Sequence, residues 1–167
     1  MVLVACLSAA ACTGGSHAVT STTNVSALVS RGPGTGVNLE LRVTSAVVHA
    51  GDSVPVTVTL TDTAAHSIVV GDCLSIMGVY PAFLDLRTGR TLSGPGNLSC
   101  DAVGRILQAG QSRTYTAHAR AFTGIPPKAR EQRLPPGEYL LALRPLSESR
   151  AQFGLDRVPP LKVTVVS

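Results

Sequence analysis

The chain has 167 residues, and 14 Lys and Arg residues against 10 Asp and Glu residues give it a net charge of +4. Apolar residues make up 44% of the chain and aromatic residues 4%, with no Trp, so a core has to be built mainly from Val, Leu, Ile and Ala. No apolar run approaches the roughly 18 residues of a membrane-spanning helix, and no basic helix or row of aromatic residues indicates nucleic-acid binding.

The chain opens with small apolar residues that end at a cysteine. The run Ala9-Ala10-Ala11-Cys12 passes into Gly, Ser and Thr residues, which are poor core material. This run resembles the processing site of bacterial lipoproteins, where the chain is cut before a cysteine that then carries the lipid. The resemblance implies a signal segment over residues 1–12, lipidation of Cys12, export, and anchoring of the chain to membrane lipid.

Two alternatives apply to this N-terminal segment. Cys6, which follows Leu3-Val4-Ala5, is the other cysteine at which processing could occur. A buried N-terminal strand with two incidental cysteines is the alternative to a signal. Secretory signals begin with basic residues, whereas the first charge here is Arg31, so we expect the true start to lie upstream of Met1.

Residues 13–36 are rich in Ser, Thr and Gly and show no sustained period. Such a composition predicts a flexible tether between the anchor and the folded domain. An edge strand within residues 24–29 is the alternative interpretation of this segment.

From Val37 onwards apolar and polar residues alternate, which is typical of strands with one face in a core. Pro55 lacks an N–H group, so we place that end of its strand at an edge or a bulge. The predicted strands are residues 37–43, 54–60, 67–70, 82–86 with 90–92, 103–107, 112–122, 138–144 and 161–166. About seven to nine short strands separated by turns predict an antiparallel immunoglobulin-like β-sandwich over residues 37–167. The place expected for a helix is residues 127–133.

Cys73 and Cys100 remain as one even pair if Cys6 is removed with the signal and Cys12 is lipidated. An exported chain is the setting in which such a pair forms a disulfide, and we predict the Cys73–Cys100 bridge. Neither cysteine belongs to a Cys-x-x-Cys pair and no His stands at ligand spacing, so we predict no metal and no cofactor.

Three turn-forming segments resemble those of one bacterial family. They are the run that begins at Val54 (Val-Pro-Val-Thr-Val-Thr-Leu-Thr-Asp-Thr), the run that begins at Leu107 (Leu-Gln-Ala-Gly-Gln-Ser-Arg-Thr-Tyr) and the run that begins at Leu134 (Leu-Pro-Pro-Gly-Glu-Tyr). Together they resemble the intracellular proteinase inhibitor (BsuPI-like) family and its exported relatives. The resemblance covers roughly residues 41–143 and implies an immunoglobulin-like sandwich. We predict that Tyr139 holds its corner through its hydroxyl, as in a tyrosine corner.

Catalytic residues are not evident. Gly51-Asp52-Ser53 is similar to the nucleophile segment of serine hydrolases, but it lies at an expected turn and no Gly-x-Ser-x-Gly elbow exists. A hydrolase centred on Ser53 would need His49, His66 or His118 within hydrogen-bond reach. We therefore predict that the chain is not an enzyme.

Two segments are candidates for binding. The loop over residues 124–137 combines four prolines with Lys128, Arg130 and Arg133, and residues 73–100 carry Tyr80 and Phe83 within the predicted disulfide loop. Loops on a rigid scaffold often carry function. We predict a monomeric cell-envelope lipoprotein that acts as a binding or structural module toward an envelope protein or a protease. The alternative is a protease inhibitor that presents one of these loops.

Overall fold

The computed structural model describes residues 27–95, 100, 103–124, 130–147 and 151–167. The fold is all-β, as predicted. In chain order the strands are β1 (Leu28–Gly34), β2 (Val37–Val43), β3 (Val47–His49), β4 (Ser53–Asp62), β5 (Ile68–Gly71), β6 (Val79–Asp85), β7 (Gly104–Leu107), β8 (Ser112–Arg120), β9 (Phe122–Thr123), β10 (Gln132–Arg133), β11 (Gly137–Pro145) and β12 (Leu161–Val166). A 3-10 helix, Gln152–Arg157, precedes β12. Within the described ranges, no helix has the length and apolar character that crossing a bilayer requires.

Two four-stranded sheets form the sandwich. The first sheet has the antiparallel order β1-β2-β4-β8, and the second has the order β3-β12-β11-β6. In the second sheet β3 runs parallel to β12, and the other neighbours are antiparallel. The strand order is immunoglobulin-like, and the two sheets together contain eight strands. The remaining short strands pair as two ribbons, β5 with β7 and β9 with β10.

The core lies between the two sheets and follows the predicted alternation. In β2 and β4 every second residue is buried, and Leu41 faces Val58 across the pair. Because the intervening residues point to the opposite face, a run of Thr side chains on β4 lies on the outer surface of the first sheet. One contiguous cluster of buried Val, Leu, Ala, Met, Phe and Tyr residues joins the strands of both sheets.

Pro55 lies where β4 has a strand on one side only. It pairs with His118 of β8, while β2 ends at Val43, opposite Val56. The predicted edge position of this proline is therefore confirmed, and its missing N–H removes no pairing with β2.

The domain begins earlier than the predicted boundary at Val37. The prediction places the tether up to residue 36, but Leu28–Gly34 forms β1 and pairs with β2 along its whole length. The alternative of an edge strand in this segment is therefore correct, although the strand lies later in the chain than residues 24–29. Thr35 N donates to Phe153 O at 3.0 Å, which fixes the β1–β2 turn against the 3-10 helix. A Cβ on Gly34 would overlap that carbonyl oxygen, so this close approach requires glycine. Residues 13–26 of the predicted tether lie outside the described residues.

The prediction of a helix at residues 127–133 is wrong for residues 130–133, the part of that segment that the structure describes. Gln132 and Arg133 form β10 and pair with β9, and Leu134 N donates to Ala121 O at 2.9 Å. Leu134 precedes Pro135, and a residue before proline is driven toward extended conformations, so a helix cannot continue to the end of this segment. The one described helical segment is instead the 3-10 helix, in which Phe153 has a φ of 55°.

The corner before β11 has the predicted geometry. Tyr139 is buried, and its hydroxyl donates to Pro135 O at 2.8 Å. The bond spans four residues and holds the turn that leads into β11.

Candidate binding surface

The β5–β7 ribbon lies outside the two sheets. Its register pairs Ile68 with Leu107 at one end and Gly71 with Gly104 at the other. Val70 and Leu107 are buried and join the core, so the inner side of the ribbon is packed against the sandwich.

The outer side of the same ribbon is apolar. Val69 is 66% exposed and lies opposite Ile106, which is 67% exposed. These are the two highest values among the large apolar side chains of the described residues, and Val103 beside the ribbon is 46% exposed. A strand with one buried face normally carries polar residues on its other face, so this pair of adjacent exposed apolar side chains is a candidate for contact with a partner.

The disulfide closes one end of the ribbon. Cys73 follows β5 closely, Cys100 precedes β7, and the predicted bridge between them is confirmed. The Ser75 hydroxyl lies 3.0 Å from Cys73 Sγ and 3.2 Å from Cys100 Sγ. The bridge therefore links the segment that follows β5 to the segment that precedes β7.

A carboxylate shared by two guanidinium groups fixes the same end. Asp72 Oδ1 accepts a hydrogen bond from Arg105 Nε at 2.8 Å and another from Arg113 Nη2. The Arg113 guanidinium lies 5.5 Å from the ring centre of Tyr115, whose hydroxyl donates to Gly71 O at 3.1 Å. Burial raises the pKa of Tyr115, so its hydroxyl stays protonated and keeps donating. Charge and hydrogen bonds thus join the ribbon to β8.

The ion pairs of Asp72 predict a response to acid. The hydrogen bond from Arg105, and then the charges of the two arginines, hold the pKa of Asp72 below its ordinary value of 3.8. Because the folded pKa is the lower one, the stabilisation is present above the unfolded pKa and is lost as the pH falls through the folded pKa. We expect the NMR signal of Arg105 Nε–H to titrate in this acid range, and the Asp72→Asn variant to show no such step. An Arg105 signal that ignores pH in the wild type would contradict the pairing.

Tyr80 and Phe83 do not contribute to this surface, which corrects the prediction that they are displayed for binding. Both lie in β6, where Phe83 is fully buried in the core and Tyr80 is buried as well. From Val79 to Leu84 every residue of β6 is buried, so both faces of this strand are covered. The aromatic residues inside the disulfide loop are therefore buried, and the exposed apolar residues lie on β5 and β7, which flank the loop.

The basic loop is only partly described. Lys128 lies outside the described residues, as does Cys12, whereas Arg130 and Arg133 are both exposed. The Arg133 side chain passes over the turn at Gly51, where an added Cβ would lie 3.1 Å from Arg133 Nε. The structure brings neither arginine to the β5–β7 ribbon in any interaction that the described residues show.

A polar chain of contacts holds the described part of this loop to β8. Arg120 Nη1 donates to Glu131 Oε1 at 2.7 Å, and the Arg120 guanidinium lies 4.7 Å from the ring centre of Phe122. The residues around Arg130 are thus tied to the sandwich through Glu131.

Ser53 has no histidine partner among the described residues. It begins β4 opposite Arg120, and His49 Nδ1 lies instead 3.0 Å from Ser167 O. The described residues also contain no group of three metal-ligating side chains.

A groove of about 550 Å³ lies on the outer face of the first sheet. Its charged side chains are paired with each other, since Arg31 Nε donates to Glu40 Oε2 at 2.8 Å. Thr59 and Thr61, which also line it, have hydroxyl partners on β8. The groove therefore offers fewer uncommitted groups than the β5–β7 ribbon.

The ribbon residues were missed by the sequence analysis, although a signal existed. In the segments that become β5 and β7, apolar residues stand side by side instead of alternating. Adjacent apolar residues in a four-residue strand place one of them on each face. With the inner face needed for the core, the other residue has to be exposed.

Comparisons with known proteins leave the activity open. No protein-family model matches the chain, and no curated protein matches its sequence. Solved structures with some similarity include a β-glucosidase from Listeria innocua (18% identity over 77% of this chain, TM-score 0.42) and one from Erythrobacter marinus (13% identity over 84% of this chain, TM-score 0.47). The chain spans 16% of the length of each. A likeness at this level says nothing about what the chain does.

Proposed function

We propose that the chain is an exported, lipid-anchored and non-enzymatic module that binds a protein partner at the cell envelope through the β5–β7 ribbon. The observation that carries this proposal is the exposed apolar pair Val69–Ile106 on a ribbon that is fixed at one end. Contiguous exposed apolar residues on a soluble domain often mark an interaction site.

The stiffness of the ribbon supports a binding role. The Cys73–Cys100 bridge and the shared carboxylate of Asp72 hold both strands before any partner arrives. A surface that is already ordered loses less conformational entropy on association, so more of the contact energy contributes to affinity.

The export part of the proposal rests on the resemblance at Cys12 and is supported by the disulfide. Disulfides persist in oxidising compartments and are rare in the cytosol. Intact mass spectrometry of the protein from its native membrane fraction tests this part. We expect a processed chain that begins at an acylated Cys12 and has no free thiol. A chain that keeps Met1 and four reduced cysteines would contradict export.

Site-specific photo-cross-linking tests the binding part. A photoreactive residue at position 106 of the full chain should cross-link to one discrete partner in native membranes. The matched control is position 47, because Val47 is also apolar and is 48% exposed but lies on β3 of the second sheet. The same cross-link pattern from positions 47 and 106 would reject the ribbon as the binding surface.

Protease inhibition is the second candidate function, because a disulfide-stiffened element is also what an inhibitor can present to an active site. The test is titration of the purified chain against a panel of secreted proteases. Stoichiometric inhibition that is lost in the Ile106→Ser variant would select this candidate, and unchanged protease activity would reject it.

A further inference from the structure

We infer that the edge of β7 that does not pair with β5 accepts an extended segment of the partner as an added strand. We further infer that apolar and acidic residues alternate along this segment. The inference rests on the proposed binding role of the β5–β7 ribbon and specifies how the partner is recognised.

The edge of β7 is the more accessible of the two edges. Gly104, Arg105 and Ile106 are all exposed, and within the described residues β7 pairs with β5 alone. In β5, by contrast, Val70 and Gly71 are buried, and Gly71 O already accepts the Tyr115 hydroxyl. Unpaired N–H and C=O groups along an open edge bind extended chains by continuing the ladder.

The apolar pair gives the added strand a place to pack. Side chains of neighbouring strands line up across a sheet, so a residue opposite Ile106 would continue the row that Val69 and Ile106 begin. Gly104, two positions before Ile106, has no side chain, and an added Cβ there would lie 3.1 Å from Val69 Cγ1. The Val69 side chain therefore lies over Gly104, so a partner residue opposite Gly104 can contact Val69 as well.

Charge selects the other residues of the added strand. Among the described residues, Arg105 and Arg113 share the single carboxylate of Asp72, so this group of three side chains carries one excess positive charge. The Arg105 side chain is 58% exposed and can bind a second carboxylate. Because Arg105 and Ile106 are consecutive, they point to opposite faces of β7. A partner segment that binds both Arg105 and Ile106 must therefore carry acidic residues on one face and apolar residues on the other.

The same charges argue against a second copy of this chain as the occupant. Two β7 edges brought together would place two such positive ends in one sheet, and the whole chain carries a net charge of +4. Like charges close together in a sheet destabilise the pairing. An anionic membrane would satisfy the charge, but it offers no strand to pair with β7.

Peptide titration of the isotope-labelled full chain tests the inference by NMR. The probe is an eight-residue peptide of alternating glutamate and valine. One control peptide has lysine in place of glutamate, and another has N-methyl groups on the amides that would pair with β7. We expect the first peptide to shift signals of β5 and β7 and both controls to bind about tenfold more weakly or not at all.

Variants of the protein give an independent readout on the same peptide. Ile106→Ser and Arg105→Glu should each weaken binding about tenfold, while Arg105→Lys should retain most of it. Val47→Ser is the matched control and should leave binding unchanged. The spectrum of each free variant shows whether it is folded, and the control peptides keep the test decisive even if a variant is not.

Several outcomes would overturn the inference. Equal binding of the lysine peptide removes the charge argument, and equal binding of the N-methylated peptide removes strand addition. No shift at millimolar peptide rejects both. Self-association that Ile106→Ser abolishes, or binding to phosphatidylglycerol vesicles through β7 without peptide binding, would assign the edge to a second copy or to lipid. If the cross-link at position 106 persists while all peptides fail, the proposed function stands and only this mode of recognition falls.

Discussion

Replacing Phe83 with alanine should lower the free energy of unfolding by about 3–5 kcal/mol, the range measured for fully buried aromatic residues. Phe83 is fully buried and pairs with Leu141 of β11 across the second sheet. Its ring meets that of Tyr139 edge to face at 6.4 Å between centroids. The substitution removes this contact and leaves a cavity between the two sheets, because neighbouring strands are held by their ladders and cannot close the space. Urea denaturation followed by circular dichroism measures the loss.

Val69→Ala is the matched control for Phe83→Ala. Val69 is also apolar but largely exposed, so its truncation should change stability by no more than about 0.5 kcal/mol. The two variants should have the opposite order of effects on binding. Phe83→Ala that remains folded should keep the cross-link at position 106, whereas Val69→Ala should weaken it. Equal urea midpoints for Phe83→Ala and the wild type would place Phe83 outside the core.

Removal of the disulfide by the double substitution Cys73→Ala and Cys100→Ala should cost about 3–4 kcal/mol, from the entropy that a cross-link of this length removes from the unfolded chain. The two cysteines are 27 positions apart. Both are replaced together because a single substitution would leave a reactive thiol on the surface. The measurement is again urea denaturation, with the wild type under reducing conditions as a second route to the same state.

Hydrogen exchange shows which strands lose stability in the double variant. We expect the amides of β5 and β7 to lose protection first, because the bridge closes their end of the ribbon, while β2 and β4 keep theirs until global unfolding. Uniform loss of protection across the sandwich would mean that the bridge supports the whole fold rather than the ribbon. Unchanged stability would contradict the loop-closure estimate.

The sequence predicts best those strands that have one face in the core and one in water. β2, β4 and β12 alternate clearly, and their predicted and observed bounds agree closely. β6 is covered on both faces, so its run of Val, Tyr, Pro, Ala, Phe and Leu carries no period-two signal, and nothing in the sequence marks its aromatic residues as buried. The sequence did not predict β1 for the opposite reason. No residue in it is fully buried, and its Ser, Gly and Pro content is that of a loop.

The candidate site was predictable in part. The disulfide followed from an even pair of cysteines, and its confirmation locates the end of the ribbon. What the sequence could not predict is that Asp72, Arg105 and Arg113 meet, since they are far apart in the chain and come together only through the pairing of β5 with β7 and the path of β8. Exposure of Ile106 likewise depends on which side of a short strand faces the sandwich.

The parallel pairing of β3 with β12 imposes an order in time on folding. His49 at the end of β3 and Ser167 after β12 touch across 118 positions of chain, and within the described structure β12 is the one strand that pairs with β3. At a synthesis rate of about 5–20 residues per second, β3 is made roughly 6–24 s before the strand that it needs. Until then the second sheet is incomplete, and contacts between such distant residues form slowly. The second sheet is therefore completed only after β12 has been made, whereas every strand of the first sheet is present once β8 ends at Arg120.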